Sequence, residues 1–561
     1  MAAASYTTDL LLINECEVIT NFTEPTGSTA GGTAAQENEF YVQNSFSISK
    51  TFNATGVGGL HYNNGTGITL PTDGAVFTWI YWTAPNSLAT KANGGQQITI
   101  GSGVGAYRRY YVAGGDTNIY GGWVNYPVNP TVASSLNQGT PTTTYQYFGY
   151  TVNNTLSISR GNPYGIDVIR YGRGSIIITD GDLANGYATF PAAATVNDSN
   201  TTGAFNRWGI FSEFQTSFKM QGRLQFGSAG TAVDFRDSNR TITIQNTEFV
   251  TSLFNMFEII NASSRVDWTN IFIQSLSTAS RGTILVTDNA DFNVQGCVFN
   301  DLGTFTFLSN SSIDDTTFRR CEQITTGGAS FTNNFVRNST SSASIAATFS
   351  EFSTITGNDF LSDGSNHAIS VPSTAGTTNV TWNNILAGYV AGTAGNNVGT
   401  TSGTGNEAIY ITGTTTSTVN ITVAAGATIP SIRKDSANVT VNITANQLTF
   451  TISGIQSGTE LRVYTYTDVN DPTTYTEFAG AEIIGASPEG STFSSITASG
   501  STFTATKTYD GGTAIPVLIV AHNLDYQFFR QTTTLSASEN TSFTLFQVSD
   551  RNYDEGATPY V

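Results

Sequence analysis

Between residues 242 and 385 one short phrase keeps returning: an apolar residue, a few small polar residues with Asn or Gly, then an aromatic or apolar residue. It reads ITIQNTEF at 242–249, VDWTNIF at 266–272, FNVQGCVF at 292–299, SSIDDTTF at 311–318, SFTNNF at 330–335, STITGNDF at 353–360 and TNVTWNNI at 378–385. The closing residues are Phe249, Phe272, Phe299, Phe318, Phe335, Phe360 and Ile385, at successive spacings of 23, 27, 19, 17, 25 and 25. Short runs of Thr, Val, Ile and Phe bounded by Gly, Asn, Asp or Ser are strand and turn material. One such unit cannot bury its apolar side alone, whereas stacked units can, each closing residue resting on its counterpart one coil below. Asn suits the corners because it bonds neighbouring backbone and tolerates left-handed geometry. The pattern therefore predicts a right-handed parallel β-helix.

Two flanking regions have a different texture. AVFTWIYWTAP at 75–85 alternates, putting Phe77, Trp79 and Tyr81 on one face and Thr78, Ile80 and Trp82 on the other. Further strand-like runs follow at 94–103, 107–115 and 119–127, separated by Gly, Asn and Pro signals. Many short strands with frequent turns predict a sandwich. After 446, LTFTISGIQSGTELRVYTY and FTATKTYDGGTAIPVLIVAHNLDYQFFRQTTTL read the same way. The expected architecture is all-β: an N-terminal jelly-roll sandwich at 1–160, a central β-helix at 161–445 and a C-terminal β-sandwich at 446–561. The strictly alternating phrases EAIYITGTTTSTVNITVAAGATI and SANVTVNITAN are expected to form the closing coils or a transition piece.

Composition narrows the function classes. Only 11% of the 561 residues are charged, and the formal net charge is −18 with 23 Lys plus Arg. That surface repels a nucleic-acid backbone and an anionic membrane, so neither is an expected partner. No apolar run is long enough to span a bilayer. The start, MAAASYTTDLLLINECEVITNF, lacks a basic region and a long apolar stretch, so no signal peptide is expected. Cys16, Cys297 and Cys321 fit isolated buried thiols better than a disulfide framework.

The stretches FYVQNSFSISK, HYNNGTGITLPTDGAVFTWIYWTAPNSLATKANGGQQITIGSGVGAYRRYYVAGG and IYGGWVNYPVNP resemble LamG/concanavalin-like jelly-roll modules of bacteriophage virion proteins, marine phages especially. GTELRVY, STFTATKTYDGG, PVLIVAHNLDYQFFRQ and FQVSDRNY resemble the C-terminal sandwich of phage structural and tail-fibre proteins. These resemblances imply a capsid- or tail-attached fibre or spike, located on the virion, assembled as a homotrimer with other particle proteins as neighbours and able to meet a host-surface glycan. Two other readings stand beside it: a tailspike depolymerase cleaving host polysaccharide, and a bacterial surface adhesin. The preferred reading expects no enzyme activity.

Candidate chemistry is sparse. A glycan-cleaving β-helix would place paired carboxylates, or an Arg or Lys base, along one groove. The candidate catalytic pairs are Asp180 with Asp182 and Asp314 with Asp315, followed by Asp288 with Asp291 and Asp359 with Asp363. Candidate bases are Lys219, Arg265, Arg281, Arg319 and Arg320. For carbohydrate binding the richest cluster is Tyr107, Arg108, Arg109, Tyr110, Tyr120, Trp123 and Tyr126, since aromatic faces stack on sugar rings and Arg supplies hydrogen bonds. His61, His367 and His522 fall in three different segments. With no phosphate loop, dinucleotide fingerprint or metal-ligand cluster, no cofactor and no metal are expected.

Overall fold

The computed structural model describes residues 6–549 except 83–86, 118–121, 156–163, 180–185, 191–210, 215–216, 245–248, 251–254, 277–280, 288, 338–339, 446, 485–486, 490–492, 494, 500–501, 510 and 512–513. The described chain is all-β and forms two compact units, Met1–Ala346 and Ala347–Val561.

The first unit opens with two facing antiparallel sheets. One runs in the order Gly122–Val128, Ala75–Trp82, Tyr164–Gly172, Ser47–Thr51, Thr33–Glu37. The other runs Leu136–Gln138, Ala106–Ala113, Gln96–Gly103, Tyr145–Asn154, Gly56–Ile68, Phe22–Thr23. Ile48, Val76, Ile80, Ile98, Ile100, Tyr110, Phe148, Tyr150 and Ile166 fill the space between them. The alternation at 75–82 is real: Val76 and Ile80 enter this core, while Trp79 packs on the opposite face against Val42 and Val168.

Coils of parallel strands follow, each turn contributing to three sheets. The first face stacks Ser217–Met220, Thr241–Ile244, Phe272–Ser275, Val298–Asn300, Thr317–Arg319 and Phe335–Arg337. The second stacks Ser175–Ile178, Arg223–Phe226, Asn255–Ile259, Thr283–Val286, Phe305–Thr306, Ile324–Thr325 and Ala343–Ala346. The third stacks Asp234–Ser238, Arg265–Thr269, Asp291–Gln295, Ser312–Asp314 and Ser330–Thr332. Tyr6–Thr8 closes the start of the second sheet by antiparallel pairing with Ser175–Ile178.

The corner between the third and first faces shows why Asn and Gly recur. Asn239, Asn270, Gly296, Asp315 and Asn333 occupy equivalent positions, all at positive φ between 49° and 63°. That region is open to Gly and least costly for Asn and Asp. The next residue turns inward and is buried: Ile271, Cys297, Thr316 and Asn334. Asn334 accepts from the Thr316 amide (2.9 Å) and donates to the Ile313 carbonyl (3.0 Å). Corner backbone that would otherwise be buried and unpaired is thus satisfied.

The closing residues do not form one column. The buried column on the first face is Ile242, Ile273, Phe299, Phe318 and Val336, at spacings of 31, 26, 19 and 18 residues. Phe299 and Phe318 are in it. Phe272 and Phe335 lie one residue out of register and so point outward, because successive strand residues face opposite ways. Phe249 leaves the coils and packs edge-on against Tyr110 in the sandwich core, ring centroids 5.0 Å apart.

In the second unit three strands pair in parallel: Gly376–Trp382, Ser417–Val423 and Val439–Ala445. Asn379, Asn420 and Asn442 align and form an amide ladder, with both links at 2.7 Å. His367–Pro372, Ile409–Thr412 and Ile432–Lys434 form a second parallel set, and Asp359–Leu361 pairs with Ile385–Ala387. Here Ile385 is exposed, again one residue out of the inward register. The end of the unit is a pair of sheets built on Leu448–Gln456 and Glu460–Thr465, around Phe450, Ile452, Leu461, Val463, Val517 and Ile519.

Candidate functional site

Charge collects on the outer face of the third sheet in the first unit. Asp234, Arg236 and Ser238 alternate outward from one strand, Arg265, Asp267 and Thr269 from the next, and Asp291, Asn293 and Gln295 from the third. In-register pairing sets Arg265 beside Asp234 and Asp267 beside Arg236. Opposite charges are therefore direct neighbours, which stabilises the sheet.

Arg236 forks onto Asp234 at 2.8 and 2.7 Å, and its Nε lies 3.4 Å from Asp267. Asp267 also accepts from Arg265 Nε at 2.9 Å and from Asn293 Nδ2 at 2.7 Å. The Arg236 guanidinium stacks on the Tyr187 ring, 5.1 Å from its centroid, and the Asp234 pairing raises its pKa above the usual arginine value. Asp267 is the more open carboxylate, at 19% side-chain exposure against 7% for Asp234. One strand over and two residues along, the two positions are about 8 Å apart from strand spacing and rise. The arrangement offers two carboxyl groups, two guanidinium groups, an amide and an aromatic ring on one solvent-facing patch.

Of the candidate residues, Arg265 belongs to this patch and Asp291 lies at its edge, exposed. Asp180, Asp182 and Asp288 fall outside the described residues, as does Tyr120. Asp314 accepts from Thr332 Oγ1 (2.8 Å) and Asn333 Nδ2 (3.0 Å), tying adjacent coils, and Asp315 is the exposed corner residue at φ 49°. Asp359 and Asp363 are exposed, the latter capping its own turn through Ser365. Lys219 is half-buried with its pKa lowered by burial, and Arg281 is buried against Glu322, Thr340 and the Arg320 carbonyl. Arg320 pairs with Asp301 at the next corner.

The aromatic cluster is split by the strand register. Tyr110 and Tyr126 point into the sandwich core, and Arg108 bonds the Pro130 carbonyl. Tyr107 and Arg109 stack on each other on the far side of the same sheet, largely enclosed, beside His61 and Tyr147. Trp123 joins Tyr81 and Phe40 on the other sheet. His61 is buried between Tyr147 and Thr151, and burial with the nearby Arg109 pushes its pKa down to about 3. His367 donates from Nδ1 to the Glu407 carbonyl at 2.6 Å. His522 is an exposed strand residue. Among the described residues no group of three or more His, Cys, Asp or Glu is placed to hold a metal ion. All three cysteines are buried and free of disulfides.

Asp234, Arg236 and Asp267 were missed from sequence because their neighbours on adjacent strands are 26 to 31 residues away along the chain. The alternation DFRDS and RVDWT was visible, but not which strands would be adjacent.

No family model matches the chain, and no curated protein matches it. Among solved structures it is similar to the Agl-KA catalytic domain, at 13% identity over 78% of this chain and 95% of that one, TM-score 0.21. It is also similar to the catalytic domain of a GH87 α-1,3-glucanase in complex with nigerose, in two substituted forms. These give 10% and 11% identity, each over 76% of this chain and 97% of theirs, with TM-scores of 0.17 and 0.14. The structures named are catalytic domains, neither particle proteins nor LamG modules, so the expectation of a non-enzymatic chain finds no support among them. At TM-scores this low the likeness transfers no residue role and no substrate.

Proposed function

We propose that the protein is a polysaccharide-cleaving enzyme built on a parallel β-helix, with Asp234 and Asp267 as its catalytic pair. The observation that carries this is their diagonal placement on one outward face, with Arg236, Arg265, Asn293 and Tyr187 around them. Hydrolysis of a glycosidic bond needs one carboxyl group to protonate the leaving oxygen and another to take a proton from water. Asp267, the more open, gives the proton. Asp234, forked by Arg236, receives one from the water that attacks the anomeric carbon as the C–O bond breaks. Arg236 Nε lies 2.8 Å from an Asp234 oxygen and 3.4 Å from an Asp267 oxygen, so the two carboxyl groups approach within about 6 Å, between the retaining and inverting separations.

Asp267→Asn and Asp234→Asn are each expected to lower turnover about 100-fold or more, with the native circular-dichroism spectrum retained. Release of reducing ends from a polysaccharide panel measures this, and NMR of the fresh product should show the inverted anomeric configuration that direct attack by water requires. Undiminished cleavage by both variants overturns the assignment.

We take the protein to be carried on a virus particle as a homotrimer, meeting glycan at a cell surface. The resemblances at the two ends of the chain support this. Its absence from purified particles by mass spectrometry would refute it.

A further inference from the structure

The outer side of the first face carries a second, differently built surface. Thr243, Gln274, Asn300, Arg319 and Arg337 form one outward column, one residue per coil. Beside it runs Thr241, Phe272, Val298, Thr317 and Phe335. Arg319 and Arg337 are exposed and directly in register on neighbouring strands, about 4.8 Å apart. Neither guanidinium has an ion pair, hydrogen bond or ring contact among the described residues. Asp301, beside Asn300 on the adjoining strand, is taken up by Arg320, and Glu322 by Arg281 and Ser341.

Two like charges directly opposite in a sheet repel and destabilise it. The chain has 41 Asp plus Glu and only 23 Lys plus Arg, so an unpaired arginine pair is not a default of its composition. Phe272 and Phe335 add to the oddity. Each is half-buried on the outward side, and neither has a ring partner among the described residues. Phe335 and Arg337 share a face two residues apart, as do Thr317 and Arg319.

We infer that this face binds an acidic polysaccharide running along the stack of coils. The guanidinium forks match carboxylate or sulfate groups bidentately. The phenylalanine rings offer apolar faces to sugar rings, and Asn300 and Gln274 supply donors and acceptors for hydroxyls. The inference rests on the glycan-cleaving reading and names its substrate class as anionic, but it uses different residues on a different face.

The test is surface plasmon resonance of the full chain over immobilised polygalacturonate, dextran sulfate and neutral dextran. Binding to at least one acidic polymer and not to dextran is expected. Preference for polygalacturonate identifies a carboxylated sugar, and preference for dextran sulfate a sulfated one. The Arg319→Gln/Arg337→Gln double variant should bind about 100-fold more weakly, taking tenfold per charge-assisted contact, and Phe335→Ala should also bind more weakly. Unfolding temperature should not fall in the arginine double variant, because a repulsion has been removed. Asp267→Asn should bind normally, and the arginine double variant should cleave short oligosaccharides normally, so failure here and failure of the catalytic assignment are distinguishable. Equal binding to neutral dextran or to single-stranded DNA, or unchanged acidic-polymer binding by the double variant, would overturn the inference.

Discussion

Asp167 and His61 sit in the same sandwich and respond to pH in opposite senses. Burial drives the Asp167 carboxyl up to about 7, against the amides of Val42, Gln43 and Val168 that favour its charged form. Between about 4 and 7 the folded state holds a proton that the unfolded chain releases, so this residue lowers stability as pH rises through that window. His61 does the reverse. Its folded value near 3 lies below the unfolded 6.5, so its contribution is lost as pH falls from 6.5 toward 3. The contributions of these two groups offset each other between about 4 and 6.5, while His367, also lowered by burial, adds to the loss as pH falls below 6.5. Relative to the unsubstituted protein, His61→Gln is expected to shift the slope toward a fall with rising pH, by on the order of 1.4 kcal/mol per unit. Asp167→Asn should shift it toward a fall with decreasing pH. Urea unfolding at a series of pH values measures both, and an unshifted profile in each variant would contradict the assignment. The thiols belong to the same scale: burial pushes Cys297 up to about 11 and Cys321 up to about 12. Thiol reagents at neutral pH should leave them unlabelled in the native protein and label them after denaturation.

At the scale of the strand and corner, order depends on satisfied polar groups as much as on apolar stacking. Asn334 closes two buried backbone groups, the Thr316 amide and the Ile313 carbonyl. Asn334→Ala leaves both unpaired and is expected to cost about 2–4 kcal/mol, read as a shift in the denaturant midpoint. Asn333→Gly, at the neighbouring corner with φ 56°, should be nearly neutral, since Gly adopts that conformation freely. Loss of stability equal to that of Asn334→Ala would show that the Asn333 side chain, which bonds Asp314, matters more than its backbone. The register slip at Phe272 and Phe335 has the opposite consequence. Their truncation should cost little stability, while Phe318→Ala, fully inward, should cost about 3–5 kcal/mol.

Across the whole molecule, a net charge of −18 acts against an acidic polymer until contact is made, and the local arginine pair acts for it. Long-range repulsion is screened when the Debye length falls from about 30 Å at 0.01 M salt to about 8 Å at 0.15 M. Association with an acidic polysaccharide should therefore speed up over that range, the reverse of a basic protein. Slower association with added salt would indicate that attraction dominates at long range. Cleavage of neutral oligosaccharides should be insensitive to the same change.

The chain's own sequence determined that it is β throughout, that its middle is made of short repeated strands, and that the corners carry Asn, Asp or Gly. These are local properties: strand propensity, period-two alternation and the tolerance of Asn and Gly for positive φ act within a few residues. The even alternation at 75–82 was legible for the same reason, and so was the burial of the cysteines. Only the tertiary structure decided which closing residues face inward, because coil lengths of 31, 26, 19 and 18 residues shift the phrase by one position between turns. Phe272 and Phe335 were thereby sent to the surface and Phe249 to another core. The candidate site was less legible still. Arg265 was visible as a possible base, but Asp234, Arg236 and Asp267 become one patch only when strands some thirty residues apart are set side by side. The tyrosines at 107, 110 and 126 looked like one cluster, and strand pleating divided them between two faces. Local sequence specifies the element; the long-range register specifies what each element presents to solvent.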